Sequence, residues 1–86
     1  MKIFVPGPLR SYTGGAASVE GRGQTLDEIL VDLDHSFPGF RFRIIDEQDR
    51  IREHIKIFVN ASQQSSVDVA VEGGDQVHIV CALSGG

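Results

Sequence analysis

The chain has 86 residues, of which 41% are hydrophobic and 23% are charged. This length predicts one small domain without a large active-site cleft, and the composition is typical of a folded protein rather than a disordered one. The formal charge of -4 argues against a nucleic-acid-binding surface, which concentrates lysine and arginine on one face. The single cysteine, Cys81, excludes an internal disulfide, and no stretch resembles a signal peptide or a membrane span. We therefore expect a cytoplasmic protein that binds neither nucleic acid nor membranes.

The beginning of the chain predicts a β-hairpin with an enlarged loop. Ile3-Phe4-Val5 is a β-branched and aromatic run that Pro6-Gly7-Pro8 ends, so it predicts a first strand. Gly14-Gly15 permits unusual backbone angles and marks the loop. Apolar and polar residues then alternate in residues 17–20, as a second strand requires.

The spacing of Thr25 and Glu28 predicts the start of the main helix, because it is the spacing of a capping box. Apolar residues follow at helical spacing, namely Leu26, Ile29, Leu30 and Leu33. Pro38-Gly39 is expected to end this segment. Four acidic residues lie largely off the apolar stripe and predict a solvated acidic face: Asp27, Glu28, Asp32 and Asp34.

The segment after this helix fits two structures. Charged and aromatic residues alternate in residues 40–46 as in a strand, yet the same residues fit a second short helix with Phe40, Ile44 and Ile45 facing inward. Alternation in residues 55–59 predicts a further strand, which ends in the polar run that follows it.

The end of the domain predicts one more strand and completes the fold class. Gly73-Gly74-Asp75 indicates a turn into a final strand at residues 77–80, and a short strand around residues 67–71 is an alternative. This order of elements predicts an α+β domain in which one main helix packs on one face of a mixed sheet of about four or five strands. If the final strand pairs with the first in parallel, both lie at the centre of the sheet.

Residues that support catalysis or metal binding are not clustered in the sequence. His35, His54 and His78 lie far apart and lack the cysteine partners of a zinc site, so we expect no metal and no bound cofactor. Gly21-Arg22-Gly23 lacks the rest of a nucleotide-binding pattern and predicts a turn before the helix. No cationic residue adjoins Cys81 in the sequence, which favours an inert thiol. The sequence therefore predicts a protein without catalytic machinery of its own.

The chain ends in Ser84-Gly85-Gly86, which places a carboxylate on a segment without bulky side chains. Residues 81–86 are expected to form a flexible tail that reaches about 20 Å when extended. An ionised α-carboxylate is a poor electrophile and needs activation, which a partner enzyme must supply. The tail therefore predicts a function that is carried out inside a partner.

An ordered set of short motifs covers nearly the whole chain. It consists of Ile3-Phe4-Val5, Leu9-Arg10, Thr13-Gly14-Gly15, Thr25-Leu26, Phe58-Val59-Asn60, Gly74-Asp75, Val77-His78-Ile79 and Gly85-Gly86. In these motifs the chain resembles the ubiquitin-like β-grasp sulfur carriers, which include the small subunit of molybdopterin synthase, the thiamine sulfur carrier and the bacterial cysteine-biosynthesis sulfur carrier. The Thr13-Gly14-Gly15 loop looks most like the last of these. The chain departs from the pattern before its glycines, where these carriers often have proline and alanine and this sequence has Cys81-Ala82-Leu83-Ser84.

The resemblance implies a β-grasp domain in residues 1–80 and a function for Gly86. An E1-like adenylyltransferase is expected to use ATP and Mg to activate the Gly86 carboxylate, which a sulfur donor then converts to a thiocarboxylate. The thiocarboxylate would hand its sulfur to a downstream sulfur-accepting enzyme in the biosynthesis of cysteine, thiamine, molybdopterin or a related metabolite. A JAMM-type metalloprotease or hydrolysis would regenerate the free terminus.

Two groups of residues are expected to contact partners. The first enters the partner with the terminus and comprises Leu83, Ser84 and Gly85. The second follows from strand alternation, which turns Ile3, Val5, Val77 and Ile79 towards the helix. On the opposite face of the sheet it places Phe4, Phe58, His78 and Val80. Apolar groups on that face predict a docking patch, although scattered surface hydrophobes are also normal.

Three other functions fit the same features. Gly86 would be joined to lysines of other proteins in a ubiquitin-like modifier. The tail would stay inserted in a large subunit if the chain is the small subunit of molybdopterin synthase. In a pure interaction module, deletion of Gly85-Gly86 would change nothing.

Overall fold

The computed structural model describes residues 1–82 and shows a mixed five-stranded sheet with helices on one face. The strands are β1 (Lys2–Phe4), β2 (Ser18–Glu20), β3 (Ile55–Val59), β4 (Ser62–Gln64) and β5 (Gln76–Cys81). The helices are α1 (Leu26–Ser36) and α2 (Phe40–Ile44), and a 3-10 helix spans Gly7–Thr13. This architecture confirms the predicted α+β class.

The centre of the sheet is the parallel pair formed by β1 and β5. In this pair Ile3 lies opposite Val77, and the strand order across the sheet is β2-β1-β5-β3-β4. The neighbours β2 and β3 are both antiparallel to the central pair. The first and last strands are therefore paired in parallel, which is the arrangement that places both at the centre of the sheet.

The hairpin of β1 and β2 contains the 3-10 helix in its loop. Gly14 and Gly15 adopt φ angles of 65° and 90°, which the predicted loop requires. The hydroxyl of the buried Thr13 donates a hydrogen bond to the Ala16 carbonyl at 2.9 Å and so fixes the return of the chain into β2.

Helix α1 begins at the predicted cap. The backbone N–H of Glu28 donates to the Thr25 hydroxyl at 3.2 Å, and the Glu28 carboxylate accepts from the N–H of Gln24 at 2.9 Å. The carboxylate thus reaches one residue further back than in a standard capping box. The apolar stripe of the helix is fully buried, namely Leu26, Ile29, Leu30 and Leu33. Each such side chain contributes about 1.5–3 kcal/mol relative to its exposed state.

The acidic residues of α1 are less solvated than the sequence predicts. Asp32 accepts from the N–H of Arg22 at 2.9 Å, and Asp34 accepts from the N–H of Arg41 at 3.1 Å. Asp27 pairs with the Arg41 guanidinium at 2.7 Å, a contact that raises the pKa of this arginine further. These three residues remain partly exposed, and they also tie the segments on both sides of α1 to the helix.

Of the two alternatives for residues 40–46, the helix is confirmed. α2 buries Phe40 and Ile44, and Ile45 follows as a buried residue in extended conformation. Alternation of arginine with aromatic residues is therefore misleading here, because only Phe40 of the two phenylalanines in α2 enters the core.

Two segments between β3 and β5 differ from the prediction. The polar run after β3 contains the edge strand β4, which pairs with β3 across a turn where Asn60 has a φ of 55°. Residues 67–71 form only a single bridge, between Ala70 and Thr25. The N–H groups of Leu26 and Asp27 donate to carbonyls in this segment instead, so the segment supplies acceptors to the start of α1.

Gly23 lies where the chain turns closely against α1, and its replacement tests this packing. A Cβ at Gly23 would lie 2.7 Å from Glu28 Cβ and 2.8 Å from the Ile29 nitrogen. We expect Gly23→Ala to lower the free energy of unfolding by about 1–3 kcal/mol, since the backbone must shift. The matched control is Gly73→Ala, where a Cβ would meet nothing within 4 Å. Equal urea midpoints for the two variants would contradict this account.

Candidate functional site at the end of β5

The predicted site begins where the described part of the chain ends. Leu83, Ser84, Gly85 and Gly86 lie outside the described residues. β5 continues through Cys81, which the sequence assigns to the tail, and the N–H of Ala82 still donates to the His54 carbonyl at 2.7 Å. The chain is therefore held by backbone hydrogen bonds up to four residues before its terminus.

The two faces of β5 have different surroundings, as the alternation of its residues predicts. Val77 and Ile79 are 1% and 3% exposed and pack in the core beneath the helices. His78 is half-buried and Val80 is 41% exposed on the opposite face. One strand thus connects the core, the open face of the sheet and the start of the tail.

The four residues predicted to share the open face are neighbours in the sheet. Phe4 and Phe58 both lie opposite His78 in the strand register, one on each side of β5. The rings of Phe4 and His78 stack with centroids 4.3 Å apart and planes 8° from parallel. Val80 follows two residues later on the same face. We call Phe4, Phe58, His78 and Val80 the open-face patch.

Two lysines at the border of the open-face patch complete it, and the sequence analysis missed them. Lys2 places its ammonium 4.9 Å from the centre of the Phe4 ring, and Lys56 lies opposite Val80 in the register. Alternation along β1 and β3 was the signal that could have found them. Glu20 lies opposite Lys2 on the same face, so the clearly cationic border of the patch is the one at Lys56. The patch thus combines aromatic and apolar side chains with one cationic border, a combination suited to an apolar surface with an acidic neighbour.

The carboxylates with lowered pKa values serve local structure instead of this patch. The N–H groups of Arg50 and Gln48 hold the pKa of Asp46 below its ordinary value. The N–H of Glu72, together with the side chain of Asn60, does the same for Asp75. Both carboxylates thus act as hydrogen-bond acceptors in turns.

Among residues 1–82, no three histidine, cysteine or acidic side chains lie close enough to hold a metal ion. Within the same range, neither helix has the length and apolar character that crossing a membrane requires.

Cys81 faces the core side of the sheet, where it packs partly buried against the hydrophobic core. Burial raises the pKa of its thiol, and the nearby Arg43 opposes this effect only in part. A thiol with a raised pKa is a weak nucleophile at neutral pH. This environment supports the interpretation of Cys81 as an inert residue.

Comparison with known proteins relates the whole chain to sulfur carriers. A model of the ThiS family matches residues 3–86. The sulfur carrier protein CysO of Mycobacterium tuberculosis is 30% identical over 89 residues, which cover 98% of this chain and 96% of that protein.

Solved structures show the same architecture. A chain of the Amycolatopsis orientalis BexX/CysO complex matches with a TM-score of 0.91 and 31% identity, over 99% of this chain and 98% of that chain. Small archaeal modifier protein 1 of Methanosarcina acetivorans matches with a TM-score of 0.80 over 99% of this chain and 94% of that chain. At 19% identity the second likeness concerns the fold alone. Together these matches confirm the predicted β-grasp fold.

The environment of Cys81 predicts slow alkylation of the folded protein. At pH 8 we expect iodoacetamide to react with Cys81 at least severalfold more slowly than with N-acetylcysteine, since burial suppresses the thiolate. Mass spectrometry of timed samples measures the rate. The chain unfolded in urea is the control and should react at the rate of the small thiol. Equal rates for the folded and unfolded chains would show that the thiol is reactive.

Proposed function

Since this chain belongs to the ThiS family and is a ubiquitin-like sulfur carrier of the CysO type, we propose that it carries sulfur as a thiocarboxylate on Gly86. The observation that carries the proposal is the extent of the family match, which runs through residue 86 and so includes the terminal Gly85-Gly86. Support also comes from β5, whose backbone is fixed up to the start of the tail.

The proposed chemistry takes place at the Gly86 carboxyl group in two steps. First, a carboxylate oxygen attacks the α-phosphorus of ATP on an E1-like adenylyltransferase with Mg, and pyrophosphate leaves. Second, sulfide (HS⁻) from a donor attacks the carboxyl carbon of this mixed anhydride, AMP leaves with the former carboxyl oxygen, and the S–H proton is lost to solvent, so no oxidant or reductant is needed. The product is a thiocarboxylate, and this chain supplies the reacting group while its partners supply the catalysts.

The thiocarboxylate then acts as the sulfur nucleophile towards a downstream sulfur-accepting enzyme. Likeness to CysO over nearly the full length of both chains favours cysteine biosynthesis among the acceptor pathways. A JAMM-type metalloprotease or hydrolysis returns the terminus to a free carboxylate. We place the cycle in the cytoplasm, because its first step consumes ATP.

The length of the tail and the position of the open-face patch support separate roles for these two parts of the chain. Leu83, Ser84 and Gly85 enter the partner's active site, and the patch docks on the partner's surface. The four residues that follow Ala82 span about 13 Å when extended. Because β5 carries both His78 and the base of the tail, docking of the patch positions the tail for entry.

Intact mass spectrometry tests the proposal directly. The protein is incubated with ATP, magnesium, sulfide and a purified activating enzyme of this class. We expect the gain in mass that accompanies exchange of one oxygen atom for one sulfur atom, and fragment ions should place the gain on Gly86.

The control is the chain that lacks Gly85-Gly86, which should show no gain. An unchanged mass of the full chain with an enzyme that activates a CysO protein in parallel would contradict the sulfur-carrier chemistry. Adducts on lysines of other proteins without any gain would instead favour the modifier function.

Two exposed valines provide a matched test of the open-face patch. Val80 and Val31 are each 41% exposed, but Val31 lies on α1, away from the open face. We expect Val80→Asp to raise the KM of the activating enzyme for the carrier roughly tenfold, because the aspartate must be desolvated on docking. Val31→Asp should leave the KM unchanged. Equal KM values for the two variants would show that the patch is not part of the docking surface.

A further inference from the structure

A groove lies on the helix side of the sheet, at the end where β5 finishes and β3 starts. It encloses about 350 Å³. The walls come from the 3-10 helix, from α2 and from the segment that leads into β3, and the lining residues are Pro8, Leu9, Phe42, Arg43, Arg52, His54, Ile55 and Cys81. The open-face patch lies on the other side of the sheet, so the two surfaces flank the base of the tail.

Phe42 gives the groove an exposed aromatic wall that the fold does not need. Its side chain is 53% exposed, whereas Phe40 in the same helix is fully buried. Arg52 holds it in place, because its Nε donates to the Phe42 carbonyl at 2.7 Å and its guanidinium lies 4.5 Å from the centre of the Phe42 ring. The wall is therefore ordered before anything binds, which lowers the cost of binding.

The groove carries positive charge in an acidic protein. Among residues 1–82, no carboxylate lies within ion-pair distance of Arg43 or Arg52. Arg41 and Arg50, by contrast, have carboxylate partners. Asp46 lies near enough to Arg52 for their charges to attract, although not within ion-pair distance. Arg43 is therefore the main positive charge of the groove, and in a chain with a formal charge of -4 it makes a local cationic site that attracts acidic groups.

The groove adjoins the last described residues of the chain. Cys81 lines it, and the next residue, Ala82, is hydrogen-bonded to His54, which lines it as well. A protein that receives Gly86 must approach within about 13 Å of this point, the reach of four extended residues. Its surface therefore comes close enough to reach the groove.

We propose that the groove docks an acidic segment with one apolar side chain, supplied by the enzyme that takes up the tail. The apolar side chain packs on Phe42, Leu9 and Ile55, and the carboxylates pair with Arg43 and Arg52. This inference rests on the proposed function, in which the tail enters a partner enzyme. The two other occupants that fit the volume and charge are the chain's own carboxylate and a small anion, and the test separates them.

The first measurement is steady-state activation of the full-length carrier by the activating enzyme. Arg43→Glu is the test variant, because Arg43 is exposed and its side chain has no hydrogen bond within the described residues, so the variant should fold. We expect its KM to rise roughly tenfold with kcat unchanged, and the effect to shrink as salt is raised.

Two controls accompany this variant. Arg22→Glu makes the same change of charge at an exposed site near the opposite end of the sheet, since Gly21 adjoins Met1 at the start of β1. It should leave the KM unchanged, and Arg43→Lys should restore most of the affinity. An equal KM for Arg43→Glu and Arg22→Glu would overturn the proposal.

The second measurement decides the proposal if no enzyme activates the wild-type chain, an outcome that would count against the proposed function alone. Amide NMR shifts of the full chain are followed during titration with the blocked peptide Asp-Glu-Leu-Asp-Glu. We expect shifts confined to the groove, at residues 9, 42–43, 52–55 and 81, lost in Arg43→Glu and absent with Lys-Lys-Leu-Lys-Lys. Scattered shifts or none would overturn the proposal.

The same spectra test the two other occupants, namely the chain's own carboxylate and a small anion. Deletion of Gly85-Gly86 tests the first, and inorganic phosphate tests the second. If the deletion alone shifts residues 42–43 and 52–55, the chain's own terminus fills the groove and the proposal of a partner segment is wrong. If inorganic phosphate reproduces every shift caused by the peptide, the site binds small anions and the proposal is also wrong.

Discussion

The parallel pairing of β1 with β5 joins the first and last strands of the chain at the centre of the sheet. Every other element depends on it, because β2 pairs with β1, and β3 pairs with β5. A parallel pair needs a long crossover connection, and α1 and α2 lie within it and cover one face. The strand that leads to the terminus is thus paired with a neighbouring strand on both of its edges.

This position of β5 explains how the domain supports the start of the tail. Val77 and Ile79 hold the strand to the core, while His78 and Val80 reach the open face. Cys81 turns to the core side again at the edge of the groove. Successive side chains of β5 (Gln76–Cys81) point to opposite faces of the sheet, so the base of the tail has the core side on one face and the open face on the other.

The elements that could be predicted from the sequence are those in which the pattern of apolar and polar residues matches the burial of their side chains in the fold. Thr25 and the leucines of α1 combine a cap with a helical stripe, and β1, β3 and β5 alternate cleanly, so local pattern and tertiary burial agree. The open-face patch followed from the same alternation. Gly85-Gly86 and the ordered motifs then indicated the family.

The features that the sequence did not reveal depend on tertiary contacts. β4 is polar throughout because it is an edge strand, so it has no apolar periodicity to detect. Residues 67–71 have a valine at every second position, as a strand often does, but the carbonyls of Val67 and Val69 accept hydrogen bonds from the start of α1. The groove needs Phe42 and Arg52 side by side, and only the packing of α2 against the segment before β3 brings them together.

One measurement tests most directly that the function of this chain resides in its terminal carboxylate. ATP–pyrophosphate exchange by an activating enzyme of this class is measured with the native chain and with a semisynthetic chain that ends in a Gly86 carboxamide. The two proteins share the domain, the tail and both flanking surfaces, and they differ only in the group that attacks ATP. The account predicts exchange with the carboxylate and none with the carboxamide. Equal exchange with both would mean that the enzyme does not act on Gly86, and would contradict the account.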